Sequence, residues 1–298
     1  MTEFYRGYEA FLSVILIHVL LAQSQYLAIR SGLFSVATAG LAAFGAYTAG
    51  NLVLKLAVPA SLSILAGMLM GAFVGLVLSV PLARLRGVFQ AIATLAFTQI
   101  VLSVALWADP VTGGAIGLNG IPKSVEAWHL LLIVALVTWL LWNLFRSATG
   151  RALDTIRQDE HVAVAFGINV TAMHALAFTL SGAIAGLAGA LMANHNFSVV
   201  AEEFGFPMLI NALSFVVLGG SRSLAGPIVG AVILTLLPEL ARPLADNRMI
   251  LFGALLVLVI CYLPNGIADT VVLKLRERRK ARLTRPRALP VASGEHAR

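Results

Sequence analysis

The chain has 298 residues, of which 59% are hydrophobic and 12% are charged, and its mean hydropathy is +0.90. Because soluble domains are about 45–50% apolar and about 25% charged, this composition excludes an ordinary soluble protein and indicates a polytopic membrane protein. The formal net charge of +7 comes from the end of the chain, where nine of the 21 Lys and Arg but two of the 14 Asp and Glu follow residue 272. The net charge therefore indicates a basic tail at a membrane surface or in the cytoplasm, and it argues against a nucleic-acid-binding protein.

The first part of the chain predicts four membrane spans. Residues 11–29 are interpreted as a span rather than a signal peptide, because a basic leading region and a small-residue cleavage site are missing. Residues 31–56 are rich in Gly, Ala, Ser and Thr, which allow helices to approach closely and permit a broken helix where backbone lines a cavity. Further spans are predicted at 59–80 and 88–107, on either side of a basic turn.

The second part begins with a Gly- and Pro-rich loop at 109–127 and continues with spans at 128–145 and 171–193. An apolar run of about 13 residues at 206–218 is too short to cross a bilayer as an untilted helix. We therefore expect an all-α bundle of about eight (8–10) transmembrane helices, some of them broken or half-helices. Two further spans are predicted at 227–241 and 249–268. All spans belong to a predicted permease domain covering residues 1–272, which is followed by a disordered cytoplasmic tail at 273–298.

The charged residues between the fifth and sixth predicted spans define a segment, residues 147–170, that we call the polar segment. Each ionised side chain in hydrocarbon costs several kcal/mol, so the polar segment must lie in water. Its pattern predicts one amphipathic helix that ends at Gly167, with Asp154 pairing with Arg157 and Arg157 pairing with Glu160 at a spacing of three. The predicted apolar face of that helix consists of Leu153, Ile156, Ala163 and Val164.

The distribution of Lys and Arg predicts the orientation in the membrane. With these spans, 16 basic residues fall on the side of the polar segment and five on the other side, or seven against five without the tail. The positive-inside rule therefore predicts that the polar segment and the C-terminus are cytoplasmic and that the N-terminus is external.

Several motifs resemble one family of transporters. The Gly-Arg-Ala-Leu and Asp-Glu-x-x-Ala-x-x-x-Gly pieces of the polar segment are specific when they occur together, whereas the Gly-rich stretches are individually weak. Together they resemble the permease subunits of bacterial ABC importers for branched-chain amino acids. In GGSRSLAGPIVGA (219–231), Arg222 stands where that family commonly has glycine. The other matching stretches are SGLFSVATAGLAAFGAYTAG (31–50), RLRGVFQAIATLAF (84–97), TGGAIGLNGIP (112–122), SATGRALDTIRQDEHVAVAFGIN (147–169) and AFTLSGAIAGLAGAL (177–191).

This resemblance implies the fold of an ABC importer permease in the bacterial inner membrane, translocating branched-chain or related amino acids. The implied partners are a second homologous permease, two cytoplasmic ATPase subunits and a periplasmic solute-binding protein. The chain contains no GxxxxGK[ST] phosphate loop, so we expect no enzyme activity and no cofactor here, with ATP bound by the partner subunits. The single cysteine, Cys261, rules out an intrachain disulfide, and no Cys-based metal site is visible.

The same resemblance implies three groups of site residues. Residues that couple transport to the ATPase are expected at Gly150, Arg151, Asp154, Arg157, Asp159, Glu160, Ala163 and Gly167. Residues of the translocation pathway are expected at Phe44, Tyr47, Gln90, Thr94, Phe97, Gln99 and Ser181. The two glutamines, Thr94 and Phe97 can equally make contacts between helices instead. Docking of the binding protein is expected at Thr112, Gly113, Gly114 and Gly117, which otherwise serve as turn residues.

Other functions remain open at this stage. A permease of the same family could carry urea, amides or other small polar acids. An ion-coupled secondary transporter requires ionisable residues at mid-membrane, for which the spans offer only His18, His174 and Glu239. We interpret His18 as a packed or hydrogen-bonded histidine rather than a proton relay. An intramembrane enzyme is a third class, but no nucleophile motif accompanies the histidines.

Overall fold

The computed structural model describes residues 2–240, 253 and 266–270, without the side chains of residues 2–8 and 240. The last predicted span at 249–268 lies almost entirely outside the described residues, and the tail at 273–298 lies outside them completely. The helices are α1 (Thr2–Arg30), α2 (Thr38–Leu56), α3 (Ala60–Leu82), α4 (Val88–Trp107), α5 (Asp109–Thr112), α6 (Ala127–Arg146), α7 (Ala148–Gln158), α8 (Glu160–Ala165), α9 (Val170–Asn196), α10 (Phe206–Gly219) and α11 (Ala225–Leu240). The described residues also include a two-residue antiparallel pair, β1 (Leu118–Asn119) with β2 (Ser198–Val199), a 3₁₀ turn at Ala201–Phe204 and helical backbone at 267–270.

The predicted all-α membrane fold is confirmed. Within the described part of the chain, six helical stretches are long and apolar enough to cross a membrane. The short apolar run at 206–218 reaches spanning length only because the 3₁₀ turn precedes it, and α11 is a shorter apolar helix. The six stretches are Glu9–Arg30, Ala60–Leu82, Val88–Trp107, Ala127–Arg146, Val170–Asn196 and Ala201–Gly219.

The centre of the molecule is the packing of α2 and α3 against α9, and small residues make it possible. A Cβ atom added to Gly71 of α3 would lie 2.7 Å from the Cα atom of Gly186 in α9, and Gly45 of α2 meets the same residue just as closely. In a membrane, where lipid is as apolar as leucine, such close backbone contact supplies much of the association energy. The expectation that small residues let these helices approach is confirmed.

The predicted span at 31–56 is helical only from Thr38 to Leu56, without a break, and a non-helical segment precedes it. Residues 31–37 are not helical, and the chain turns at Gly32, whose φ of +80° favours glycine. The backbone N–H of Phe34 donates to Gln90 Oε1 at 2.9 Å, and that of Val36 donates to Thr94 Oγ1 at 3.0 Å. Gln25 Nε2 donates to the Ser35 carbonyl at 2.6 Å. Side chains of α1 and α4 therefore satisfy backbone groups that a helix would otherwise satisfy itself.

Replacing Gly71 by valine tests the close contact between α3 and α9. We expect Gly71→Val to lower the free energy of unfolding by about 1–3 kcal/mol or more, because the new side chain overlaps the α9 backbone. Leu69→Val on the same helix is the control, since Leu69 is 58% exposed. The measurement is the thermal unfolding midpoint of the purified protein in detergent, and equal midpoints for both variants would contradict the packing described here.

Candidate functional site

The polar segment folds as two short helices rather than the single helix predicted from its pattern. Helix α7 ends at Gln158 and α8 begins at Glu160, with extended backbone at Asp159. The Asp159 carboxylate accepts hydrogen bonds from the backbone N–H groups of His161 (2.8 Å) and Val162 (3.2 Å), so it caps α8. Gly167 follows α8 with a φ of +76°, in agreement with its predicted role as a helix terminator.

The predicted ion pairs along the segment are wrong, because Asp154, Arg157 and Glu160 each bond to a different part of the membrane domain. The Arg30 guanidinium at the end of α1 makes two hydrogen bonds of 3.1 Å to the Asp154 carboxylate. Glu160 pairs with Arg86, in the turn between α3 and α4. Arg157 donates to the backbone carbonyl of Ser221 (3.3 Å) and to its hydroxyl (3.4 Å), in the turn between α10 and α11.

The Arg30–Asp154 pair has further support around the guanidinium. Arg30 Nη1 donates to the Tyr26 hydroxyl at 2.6 Å, and its Cζ lies 4.0 Å from the centroid of the Phe145 ring. This second contact is a cation–π interaction. Next to the pair, a Cβ atom on Gly32 would lie 3.2 Å from the Arg157 Cα, so α7 packs directly on the turn that opens the non-helical residues 31–37.

The buried face of the segment was predicted correctly except at one position. Leu153, Ile156 and Ala163 are buried, whereas Val164 is 59% exposed. The exposed surface of α8 and its end is apolar, because Val162 and Phe166 are also exposed, at 45% and 78%. Sequence reasoning missed this surface, although a valine and a phenylalanine placed off the buried face of a water-exposed helix are a signal that it could have used.

Among the other predicted coupling residues, Gly150 shapes the start of α7 and Arg151 lies on its surface. A Cβ atom on Gly150 would lie 2.5 Å from the Phe145 Cα, because α7 turns back closely on the end of α6. Ser147 caps α7 by accepting from the Gly150 N–H at 3.3 Å. Arg151 is exposed and donates to the Arg146 carbonyl at 3.1 Å.

A cavity of about 670 Å³ lies between α2, α3, α4 and the loop at 109–127, which we call the 109–127 loop, and three predicted pathway residues line it. Phe44 and Phe97 stack at the end of the cavity away from the 109–127 loop, with ring centroids 6.4 Å apart. Tyr47 lies one turn further along α2. The remainder of the wall is mostly aliphatic. Its other lining residues are Thr48, Asn51, Leu52, Met70, Ile100, Val101, Val104, Ala105, Ala108, Val111 and Thr112.

The other predicted pathway residues lie elsewhere. Gln90 and Thr94 are buried and hold the non-helical residues 31–37 by the hydrogen bonds already given. Ser181 is buried between α9 and α1, where the hydroxyl of Ser24 donates to its carbonyl at 2.8 Å. Gln99 is half-buried on α4 and does not line the cavity.

The predicted docking residues form a tight turn within the 109–127 loop, and Thr112 also lines this cavity. The Thr112 hydroxyl contacts the carbonyls of Ala105 (2.6 Å) and Ala108 (2.8 Å), which ties the loop to the end of α4. Gly113, Gly114 and Gly117 all have positive φ, and a Cβ atom on any of them would overlap backbone or side-chain atoms. The small pairing of β1 with β2, which the sequence did not predict, joins this loop to the chain that follows α9.

Two residues singled out in the sequence have structural partners. His18 Nδ1 lies 2.9 Å from Thr235 Oγ1 and its ring packs on Phe215, so the prediction of a bonded histidine is confirmed. The Arg222 N–H donates to the Asp269 carboxylate at 2.7 Å. Since Arg222 is not among the positive-φ residues, a side chain there causes no left-handed strain.

Sequence comparison identifies the family. The family model described as "Branched-chain amino acid transport system / permease component" matches residues 7–260. The chain belongs to this family. The predicted resemblance is therefore confirmed, and the chain is a multi-pass membrane permease component. No cluster of three or more His, Cys, Asp or Glu that could hold a metal ion occurs within the described residues.

The curated relatives of this permease component carry consistent names. The high-affinity branched-chain amino acid transport system permease proteins LivM of Salmonella typhimurium and of Escherichia coli are each 33% identical over 273 residues, covering 80% of this chain. The chain spans 64% of the length of each of these relatives. The permease protein LivH of Escherichia coli is 30% identical over 142 residues, covering 46% of both chains. No solved structure matches the chain.

Removing the Arg30–Asp154 pair tests how firmly the polar segment is attached. We expect Asp154→Asn to lower the free energy of unfolding by about 1–2 kcal/mol, because the Arg30 side chain, 17% exposed, then lacks its anion. Glu202→Gln is the control, since Glu202 is exposed in the 3₁₀ turn. Thermal unfolding of both variants in detergent measures the difference, and an unchanged midpoint for Asp154→Asn would show that the pair adds no stability.

Proposed function

We propose that this permease component is the membrane-spanning subunit of an ATP-driven ABC importer in the bacterial inner membrane, and that it translocates branched-chain or related amino acids. Its partners are a second homologous permease, two cytoplasmic ATPase subunits and an extracytoplasmic solute-binding protein. The observation that carries the proposal is the polar segment, which is fixed to three places in the membrane domain and presents an unpaired apolar surface.

The exposed apolar surface of α8 supports docking of an ATPase subunit. A partner that covers Val162, Val164 and Phe166 removes apolar surface from water, which lowers the free energy of the complex. Three of the predicted coupling residues, Asp154, Glu160 and Arg157, hold the segment to α1, to the 84–86 turn and to the turn at Ser221. A displacement of the segment would therefore move the membrane helices, which is what coupling to an external motor requires.

The fold supports an orientation with the polar segment in the cytoplasm. Helix α6 begins at Ala127, after the 109–127 loop, and ends at Arg146, before the polar segment. It is long enough to cross the membrane. The polar segment and the 109–127 loop are therefore expected on opposite sides of the membrane. The excess of Lys and Arg on the segment's side favours the cytoplasm, and the same reasoning assigns the C-terminus to the cytoplasm.

Substrate preference within the family is part of the proposal. Branched-chain amino acids are supported by the names of the relatives and by the aliphatic lining of the cavity next to α2. Urea, amides or small polar acids would find few polar partners there. An uptake screen with L-leucine, urea and acetamide in the assembled system separates these substrates.

Replacing Phe166 by serine tests the docking surface. We expect Phe166→Ser to reduce ATP-dependent uptake of L-leucine at least about tenfold, because a central apolar contact of the interface is worth about 2 kcal/mol or more. The measurement uses proteoliposomes that contain the assembled importer, with the binding protein added outside. Gln158→Ser, an exposed polar position of the same segment, is the control and should transport normally.

Two results would contradict the proposal for different reasons. Normal uptake by Phe166→Ser would exclude the α8 surface as the docking site. Uptake by the chain alone, without ATP or ATPase subunits, would favour an ion-coupled secondary transporter.

Cysteine labelling tests the orientation. In a Cys261→Ser background, we expect Ile116→Cys in the 109–127 loop to react with a membrane-impermeant maleimide in intact cells. The reason is that the proposed orientation places this loop outside and that Ile116 is 79% exposed. His161→Cys in the exposed part of the polar segment should react only after the membrane is permeabilised. The reverse labelling pattern would place the polar segment outside the cell and remove the basis for coupling.

A further inference from the structure

A separate cavity, of about 360 Å³, lies at the end of the membrane domain that carries the polar segment. The end of α1, residues 31–37, α7, α10 and the turn after α10 all contribute to its wall. Two of the described residues that line it are arginines, Arg157 and Arg222, and none of them is acidic. We call it the arginine cavity. A cleft lined by charges of one sign attracts the opposite charge, so this cavity favours an anion.

Neither arginine of this cavity has an acidic partner among the described residues. Arg157 donates to the carbonyl and the hydroxyl of Ser221, at 3.3 Å and 3.4 Å, which are long distances for hydrogen bonds. The Arg222 side chain makes no hydrogen bond or ion pair within the described part of the chain, and only its backbone N–H contacts the Asp269 carboxylate. Both arginines are exposed, so their guanidiniums are accessible to an occupant.

The apolar part of the cavity wall follows α10 into the membrane. Leu213, Val216 and Val217 lie on one face of the helix, because they are three and four residues apart. Leu213 lies about 9 Å along the helix from its end at Gly219. Val217 and Phe34, which also lines the cavity, are 43% and 49% exposed. The cavity is therefore charged at the turn and apolar towards the membrane interior.

We propose that the arginine cavity binds an anionic phospholipid of the cytoplasmic leaflet. Its phosphate lies between Arg157 and Arg222, and an acyl chain lies along the apolar face of α10. Guanidiniums form strong paired hydrogen bonds with phosphate oxygens, and basic pockets between membrane helices on the cytoplasmic side recognise anionic headgroups. The choice of leaflet rests on the proposed orientation, whereas binding itself does not depend on the proposed function.

Other occupants satisfy only part of this wall. Soluble phosphate would pair with the guanidiniums but would leave Phe34 and Val217 in contact with water. A zwitterionic phospholipid would cover the apolar face but carries a positive group of its own, which Arg157 and Arg222 repel. An anionic phospholipid has both a net negative head and an apolar chain in the order that the wall requires.

The proposal gives a role to Arg222, which stands where the family commonly has glycine. A glycine at this position would leave Arg157 as the only basic residue among the described lining. A phosphate held by both arginines also joins α7 to the turn after α10, a contact that otherwise consists of the two long hydrogen bonds to Ser221. The bound lipid would therefore strengthen the attachment of the polar segment.

Lipid titration of the purified full-length chain in non-ionic detergent tests the site. Native mass spectrometry measures the apparent Kd for dioleoyl phosphatidylglycerol and for dioleoyl phosphatidylcholine, and we expect tighter binding of phosphatidylglycerol. Arg222→Gln should raise the apparent Kd for phosphatidylglycerol about tenfold, as for the loss of hydrogen bonds to a charged group. Arg84→Gln is the matched control, because Arg84 is exposed on the same side of the membrane but does not line the cavity. This control should bind phosphatidylglycerol as the unaltered chain does.

Two further measurements separate the source of the phosphate and guard against misfolding. Glycerol 3-phosphate, which has the phosphate without acyl chains, should not displace bound phosphatidylglycerol. Without lipid, Arg222→Gln should have the same unfolding midpoint as the unaltered chain, because the Arg222 side chain is exposed. Added phosphatidylglycerol should raise the midpoint of the unaltered chain and of Arg84→Gln more than that of Arg222→Gln.

Each opposite result overturns the inference for a specific reason. Equal affinity for the two lipids, or an unchanged Kd in Arg222→Gln, would exclude an anionic lipid at these arginines. An equal loss of binding in Arg84→Gln would show general attraction between basic residues and lipid. Displacement by glycerol 3-phosphate would identify a soluble phosphate as the occupant. Loss of ATPase subunits from Arg222→Gln with an unchanged Kd would identify an acidic protein surface. All of these results leave the proposed function intact, because uptake is measured separately.

Discussion

The contact of Arg30 with Asp154 is the constraint on which the rest of the structure depends. It joins the last residue of a membrane helix to a helix that lies in water, and the Tyr26 hydroxyl and the Phe145 ring complete the surroundings of the guanidinium. A guanidinium and a carboxylate in two parallel hydrogen bonds hold distance and direction together. Gly32 lies two residues after Arg30 and packs against Arg157. The position of α7 therefore restrains the start of residues 31–37.

Residues 31–37 connect the polar segment to the cavity. A continuous helix would resist bending, whereas a segment held by side-chain hydrogen bonds from Gln25, Gln90 and Thr94 has partners that a small shift can lengthen or exchange. The same segment leads into α2, whose close approach to α4 at Gly40 lies next to the Phe44–Phe97 pair. Residues 31–37 and the start of α2 therefore form a continuous series of contacts from α7 to the Phe44–Phe97 pair beside the cavity.

Local sequence patterns predicted what local physics controls. The bounds of α4 match the predicted span at 88–107, and the glycines that bring α3 and α9 together follow from the preference of membrane helices for small contact residues. Patterns failed where the partner is distant in sequence, since Arg30 and Asp154 are 124 residues apart and a carboxylate can as easily face a neighbour on its own helix. Three of the seven pathway residues that the family resemblance implied line one cavity between α2 and α4. The hydrogen-bonding role of Gln90 was not foreseen, because it depends on a non-helical segment whose path no periodicity specifies.

The polar segment and the cavity use charge in opposite ways, and the difference follows from their surroundings. At the water-facing end, full charges pair with full charges, because solvent nearby keeps the cost of desolvation low. Inside the membrane, the residues that line the cavity are all neutral, because an unpaired ion there would cost several kcal/mol.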